Sequence, residues 1–575
     1  MDAKLQKIIN SSCQIIDNKI VINSPIKVNG EDYYNGNGKF IFDDEYIFKV
    51  SDIFPKGEKV LNFYNFNNLV IANLTIEGNL KQNGITFTSG DYILTDSNDW
   101  DTTIQSLWIN DCDNVILENI VSNNHSGCGI SAKRVNAITI QNCVVKNCFQ
   151  HGIFVGTSNI KVLINNCLCM AFGDLGYTIN KNIGGCGILV SESNNPTISN
   201  NKIIGFSDTG TKTEGCSNVE FINNYVDGFG KDGIKAMGYN KNVINVKECK
   251  VVNNIIKNKF YGRDDGTSYI AFHEVINGII NGNFIIKDIT NDSPNEDGIR
   301  VNILSGNSSR NIKIINNTVN IKANSPGINV FSPIDNGIEN IVIENNNLNR
   351  NILVNNVNKV SIINNFIKET EYFNSKIFVI KSSDIIINKN IIEGLGLIDT
   401  NEAIYIQPSS SNYIRVTDNI VEKCGGRFLR ITEGSDNKII ENIDIKDNKA
   451  EFGMAAISYP VCGIYLGMGN TTINICNILN NSFTTLKTIT NTSLYWVHPY
   501  TNFIVNLTRI ENLTLNMDNA ETNLQSQFGR VIGEVYSSIK PTYTNKFKIF
   551  DEIKNINPLQ NNTKWIFNGS DWIAK

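Results

Sequence analysis

The chain has 575 residues, 41% of them hydrophobic, and a formal net charge of −5. This composition supplies a real core and excludes a disordered chain, while the acidic balance leaves no basic field for nucleic acid or an anionic membrane surface. Four histidines leave little material for a histidine-rich metal centre, and no run approaches the roughly 18 apolar residues of a membrane span.

The N-terminus, Met1-Asp2-Ala3-Lys4, leads into a polar Asn10-Ser11-Ser12 stretch without an apolar h-region, so no secretory signal is expected. Residues 1–60 read as an N-terminal cap or attachment segment, with short strands at Lys19-Ile20-Val21-Ile22 and Lys39-Phe40-Ile41-Phe42.

Residues 61–485 carry a two-part phrase. Its first half heads an apolar strand with Gly-Ile, at Cys128-Gly129-Ile130, His151-Gly152-Ile153, Cys186-Gly187-Ile188, Asp232-Gly233-Ile234, Asp297-Gly298-Ile299, Pro326-Gly327-Ile328 and Cys462-Gly463-Ile464. Its second half ends an apolar strand in paired Asn, as in Ile164-Asn165-Asn166, Ile222-Asn223-Asn224, Asn253-Asn254, Ile315-Asn316-Asn317, Ile363-Asn364-Asn365 and Leu479-Asn480-Asn481. Late strand starts are 25 to 29 residues apart (298, 327, 352, 377, 403, 428, 455). Early ones are irregular: 152 to 187 is 35, 187 to 233 is 46, and 233 to a less regular strand at Tyr269-Ile270-Ala271-Phe272 is 36. A period of about 25 residues fits three short strands coiled once into a solenoid that buries each unit on the next. Alternation such as Ile138-Thr139-Ile140 turns one side of each strand inward. The paired Asn suits a tight corner, because Asn tolerates the left-handed backbone and its amide can reach the adjoining turns. A sandwich of hairpins would instead place Asn-Gly or Asp-Gly between strands at 8–12-residue spacing.

Thirteen cysteines, several inside apolar strands (Cys143, Cys167, Cys169, Cys249, Cys476), read as small buried hydrophobes assembled in a reducing cytoplasm. From residue 486 to 575 the rhythm fades and aromatics gather, through Tyr495-Trp496 to Trp565 and Trp572. That segment reads as a β-rich capping or trimerisation piece, since an open last turn would expose strand edges.

The D-G-I-x-V and I-x-N-N phrases resemble those of the pectin-lyase-like right-handed parallel β-helix proteins, over roughly residues 60 to 485. Within that superfamily the chain looks most like bacteriophage tailspikes and polysaccharide depolymerases, although the G-D-G-x-x-D-D-T segment many members carry near the start is missing. The resemblance implies an all-β, right-handed, single-stranded parallel β-helix of about a dozen rungs, a homotrimer, and partners among phage tail or baseplate proteins. It also implies a place in the virion tail, made in the bacterial cytoplasm and acting at the host surface; the alternative is an exported bacterial surface protein.

Long insertions in a solenoid build its binding side, and here they fall between Gly152 and Gly298. The residue before each Gly forms a column in which Asp232 and Asp297 stand two turns apart, so their backbones should be about 9–10 Å from each other. Inverting glycosidases hold two carboxyls roughly 6.5–9.5 Å apart, which makes Asp232 and Asp297 the expected acid–base pair, assisted by Glu274 or Asp265 from the turn between. Alternation puts Lys235 and Arg300 outward on the same face, to hold substrate or to form a salt-bridge ladder with the two Asp. His273, Asp264, Glu296, Tyr269 and Tyr239 complete the expected substrate-binding set. Asp264-Asp265 equally reads as a solvated Arg-Asp-Asp-Gly turn, and Asp-Gly as a capping turn. His125 and His151 read as turn residues, and Asp174, Asp208 and Glu214 are the next carboxylates to consider. Family lyases hold calcium with several Asp on one strand; no such triplet occurs here, so neither metal nor cofactor is expected. The expected reaction is hydrolysis of a bacterial surface polysaccharide. A lyase acting on an acidic glycan and a non-catalytic glycan-binding spike or adhesin are the alternatives.

Overall fold

In the computed structural model each turn of the chain contributes three short strands, and each strand pairs in parallel with its equivalent one turn on. His151–Gly156 pairs with Cys186–Ser191, Lys161–Asn165 with Pro196–Ser199, and Leu168–Met170 with Lys202–Phe206. The described residues run from 13 to 485 apart from connecting segments, the longest being 95–102, 172–184, 239–244, 260–266, 288–295, 369–374, 394–401 and 453–460; beyond 485 they comprise strand backbones only. The chain divides into two compact units, Met1–Ser309 and Arg310–Lys575. Each is a stretch of right-handed parallel β-helix with three sheets: a first sheet headed by the Gly-Ile phrase, a second ending in Asn, and a third after the Asn corner.

The pairing starts earlier and ends later than the repeat suggests. Lys19–Ile22 pairs in parallel with Ile47–Val50, and Ile26–Asn29 with Lys59–Tyr64, so the coil already runs through the N-terminal 60 residues. Cys13–Ile16 lies antiparallel on Lys19–Ile22 at its head, where it occupies strand hydrogen bonds that would otherwise face solvent. At the far end Leu494–Pro499 still pairs in parallel with Val461–Gly467, and Phe528–Ile532 with Ile504–Glu511. Four strands from Val535 to Ala574 then form a separate small sheet with antiparallel pairs.

The inward positions stack in columns. Ile153, Ile188, Thr211, Ile234, Ile270 and Ile299 are in register on successive turns, and all are fully buried. Thr211 exposes a turn that the apolar pattern hides. The 46 residues from Gly187 to Gly233 hold two turns of 23, 187 to 210 and 210 to 233, the second headed by Gly210 and carrying Thr211 and Thr213 where the neighbouring turns carry apolar residues. The described cysteines are free thiols, and all of them except Cys13 are buried.

In most of the pairs the two Asn divide the work of the corner; in Asn165-Asn166 it is the second that takes the left-handed backbone. Asn223, Asn253, Asn316, Asn364 and Asn480 take the left-handed backbone, with φ between 54° and 56°. The Asn that follows each is buried and joins a ladder of side-chain amides. Asn254 illustrates it: its Oδ1 accepts from the Asn224 N–H at 2.8 Å and Nδ2 at 3.0 Å. Its own N–H and Nδ2 donate to Asn283 Oδ1 at 2.9 and 3.0 Å, and Nδ2 also donates to the Phe221 carbonyl at 3.0 Å. One ladder runs Asn201–Asn224–Asn254–Asn283 in the first unit, another from Asn317 to Asn481 in the second. In earlier turns Leu74, Ile120, Cys143 and Cys167 follow the left-handed residue instead. Removing one amide orphans the buried donors of the preceding Asn and takes a donor from the acceptors it served, at roughly 1–3 kcal/mol for each group left unsatisfied. Asn254→Ala is therefore expected to lose a few kcal/mol in urea unfolding, whereas Asn218→Gly, on an exposed corner whose left-handed backbone glycine takes without strain, should change little.

At the head of the first sheet, glycine is required by space. A Cβ on Gly233 would lie 2.5 Å from Ile256 Cγ2 and 2.6 Å from the Tyr269 carbonyl oxygen. Gly233→Ala should cost about 1–3 kcal/mol through this overpacking, read as a lower melting temperature with unchanged strand content.

Candidate functional site

The column before the Gly is formed as the spacing implies. Asp232 is in register with Ser268, and Ser268 with Asp297, so the two carboxylates stand two turns apart with a hydroxyl between them. On the same strands Lys235, Ala271 and Arg300 form the next outward column, and Met237, His273 and Asn302 the one beyond. The small Ala271 leaves its two cationic neighbours flanking an apolar floor.

These groups are buried. Asp232 is 0% exposed, Glu296 0%, Asp297 2%, His273 4% and Lys235 8%, so the expected open cleft is a covered ionic cluster. Asp232 Oδ1 accepts from Ser268 N–H at 3.0 Å and Oγ at 2.9 Å, and its Oδ2 pairs with Lys235 Nζ at 3.0 Å. Asp297 pairs with Arg300 Nε at 2.5 Å. The salt-bridge ladder is thus formed. Burial pushes the Asp232 carboxyl up, but the charge of Lys235 and the hydrogen bonds from Lys235 and Ser268 outweigh it and hold it below the usual carboxylate range.

Two lysines that the sequence reading missed join the cluster. Glu296, expected in the substrate-binding set, pairs with Lys287 Nζ at 2.9 Å, both side chains being buried. Lys259, 1% exposed at the end of the third sheet, is pushed below the usual lysine range by burial, against the opposing pull of Glu296 and Asp232. A separation of nine residues across a connecting segment gives no sequence signal for the Lys287–Glu296 pair. Ser268 was hidden because Tyr269 stands in the column where the neighbouring turns have Gly.

Other expected site residues lie elsewhere. Glu274 occupies the corner after the Thr267–His273 strand, with φ 61°. Six residues beyond Ser268 at about 3.3 Å each, it is far from the Asp232–Asp297 column. Tyr269 is 0% exposed and packs edge-on against Phe229 with ring centres 5.3 Å apart, facing the core. Asp264, Asp265, Tyr239 and Asp174 lie outside the described residues. His151 accepts the Cys186 N–H at 3.0 Å, Asp208 accepts from the Cys186 thiol at 3.7 Å, and Glu214 pairs with Lys212. Burial pushes the Cys186 thiol up, so this Cys, His and Asp grouping lacks an activated nucleophile. Among the described residues no group of three His, Cys, Asp or Glu side chains is placed to hold a metal.

His273 is the side chain here with unspent capacity. Neither of its ring nitrogens has a hydrogen-bond partner among the described residues. Burial, then the charge of Lys235, lowers its pKa to about 3, against the opposing pull of Asp232. The ring is neutral near pH 7 and able to donate from one nitrogen and accept at the other.

A covered cluster of ion pairs on the outer side of a parallel β-helix is the class of site this chain presents. No family model and no curated protein sequence match it. Solved structures similar to it include the periplasmic alginate epimerase AlgG, at 13% identity and TM-score 0.41, covering 66% of this chain and 81% of that one. DFA-IIIase from Arthrobacter chlorophenolicus A6 in complex with GF2 is 11% identical with TM-score 0.38, over 56% of this chain and 82% of its own. Gene product 12 of bacteriophage phi29, in its pre-mature form, is 13% identical with TM-score 0.43, over 90% of this chain and 70% of that one. At these identities the likeness concerns the fold alone.

The buried histidines give a pH dependence of definite sign. His151 and His273 are both lowered to about 3 in the folded chain, from 6.5. Between those values the unfolded chain binds protons that the folded chain excludes. Stability is therefore complete above about pH 6.5 and is lost on acidification towards 3, by at most about 1.4 kcal/mol per pH unit for each ring. The Asp232 contribution is present above about 3.9 and fades only as pH falls through its lower folded value. His273→Gln should flatten the slope of unfolding free energy between about pH 6.5 and 4; an unchanged slope would contradict the burial of a neutral ring.

Proposed function

We propose that the protein binds and hydrolyses a bacterial surface polysaccharide, as a trimeric spike of the kind its sequence resembles. The observation that supports this reading is the column itself: Asp232 and Asp297 stand two turns apart on the outer face, each beside a cation. Two inter-strand steps of about 4.8 Å give the spacing an inverting hydrolase uses to place water between base and sugar. Asp232, held ionised, takes the part of base and activates the water. Displaced from Arg300 by substrate, Asp297 takes a proton from solvent and gives it to the leaving oxygen. Lys235 and Arg300 then hold substrate oxygens, and His273 supplies a further hydrogen bond. Cleavage requires the covered face to open to the glycan.

One observation favours a second reaction type. A carboxylate kept below its usual range beside a lysine is also the base-and-cation arrangement that removes a proton next to a uronate carboxylate. A lyase product carries an unsaturated uronate, seen by its ultraviolet absorbance; a hydrolase product does not.

The test is incubation with a panel of capsular polysaccharides, followed by chain length. Asp297→Asn should lower turnover by about 10²–10⁴. Asp232→Asn alone would strand buried Lys235 and cost about 3–5 kcal/mol, so Asp232→Asn with Lys235→Met is the variant that removes charge without orphaning it. It should stay folded and fail to cleave. Full activity in both variants discards the site, and binding without cleavage by the unaltered protein leaves a receptor-binding spike. Light scattering that shows a monomer at micromolar concentration removes the trimer.

A further inference from the structure

The second unit carries an aromatic and arginine platform that the reaction above does not use. On the outer face of its first sheet Phe378, Tyr405, Arg430 and Tyr465 are in register on successive turns. The Phe378 and Tyr405 rings are 4.6 Å apart, and Arg430 lies over both tyrosines, 5.3 Å from the Tyr405 ring centre and 5.5 Å from that of Tyr465. Arg427 sits 4.7 Å from the Tyr465 ring centre. The rings are half-buried and pinned: Thr432 Oγ1 donates to the Tyr405 hydroxyl at 2.8 Å. Both arginines bond a single oxygen of Glu402, Oε1, at 2.8 and 2.9 Å. Two guanidinium groups on one carboxylate leave an excess positive charge. The Nε–H groups of both have no partner among the described residues, while the Arg430 side chain remains 34% exposed.

The same three turns carry an open groove of about 560 Å³ further along the strands. Ser383 and Asp384 follow Phe378 on one turn, Ser411 and Asn412 follow Tyr405 on the next, and Glu441 follows Arg430 on the third; all five line it. Its lining is mostly hydroxyl, amide and carboxylate, with Lys359 and the exposed Ile439 at its sides, which suits many weak hydrogen bonds to a polar chain. Neither carboxylate best placed to react is available for acid–base work: Glu402 is held by two arginines, and Asp384 accepts from Asn412 N–H at 2.9 Å and Nδ2 at 3.3 Å.

We propose that this platform and groove form a separate, non-catalytic binding site for an oligosaccharide bearing carboxylate groups. Sugar rings stack on Tyr405 and Tyr465, and a carboxylate pairs with the exposed edge of Arg430, the geometry that guanidinium recognises in planar anions. The chain then continues over the serines of the groove. Such a site keeps a long polymer attached between cleavage events and rests on the reading that the protein acts on glycan.

The test titrates the full-length protein calorimetrically with three carboxylated probes, oligogalacturonate, oligoalginate and hyaluronan oligomers, and with neutral cello-oligosaccharides. At least one acidic probe should bind, more tightly than the neutral one, and bind about tenfold or more weakly to Arg430→Gln and to Tyr465→Leu. Arg430→Gln, at a side chain more exposed than Arg427 or Glu402, guards against loss of fold, checked by an unchanged melting curve. Equal binding by both platform variants, or no binding of any acidic probe, overturns the proposal. Capsule cleavage that persists in that case leaves the hydrolase reading standing. Weakened binding in the platform variants together with full activity in Asp297→Asn would instead keep this site and discard the catalytic one.

Discussion

The corner between the second and third strands of each turn sets everything else in this molecule. One residue there turns the chain through a left-handed backbone, and the next lends a buried amide that bridges the turn on either side. A parallel coil has no hairpins to fix its register, and its short strands could slip by one residue and exchange inward for outward faces. A column of amides, each bonded to its counterpart by side chain and main chain, makes that slip costly, because every displaced member would leave buried donors unsatisfied. The columns of isoleucine, the steric demand at Gly233 and the alignment of Asp232 with Asp297 are all consequences of a register held in this way.

Fixed register turns single residues into rows, and rows of charge are what the outer face of the first unit displays. Asp232, Asp297 and Glu296 face Lys235, Arg300, Lys287 and Lys259 in a region almost without exposed surface. Ion pairs so deeply covered give little net stability, since desolvation offsets most of their attraction, yet losing one partner is expensive. The arrangement therefore constrains function. A carboxylate held ionised can serve as a base, and a neutral buried histidine beside it can exchange hydrogen bonds with a polar ligand, but both act only when the face is uncovered.

Part of this was legible because the repeat is written in residues with one structural use each. Gly before Ile marks a strand head that has no room for a side chain, and Asn-Asn marks a corner. The phrase failed where the same positions are filled by other residues. Gly210 to Glu214 passed unnoticed because its inward residues are threonines. Tyr269 obscured the register of its turn by replacing the glycine, and with it the place of Ser268 between the two aspartates. Glu274 looked like a neighbour of the pair because sequence distance does not tell which end of a strand a residue occupies. The arginine platform of the second unit had no phrase at all: Tyr405, Arg430 and Tyr465 are separated by 25 and 35 residues and meet only through stacking.

The sequence by itself determined the coil, its inward columns and the alignment of Asp232 with Asp297, because in a solenoid position within the repeat is position in space. Only the tertiary structure decided that these carboxylates are covered, that Lys287 and Lys259 join them, and that two tyrosines and two arginines form a surface on the other unit. Burial and side-chain pairing depend on what lies across the sheet and over it, and no period in the sequence encodes that.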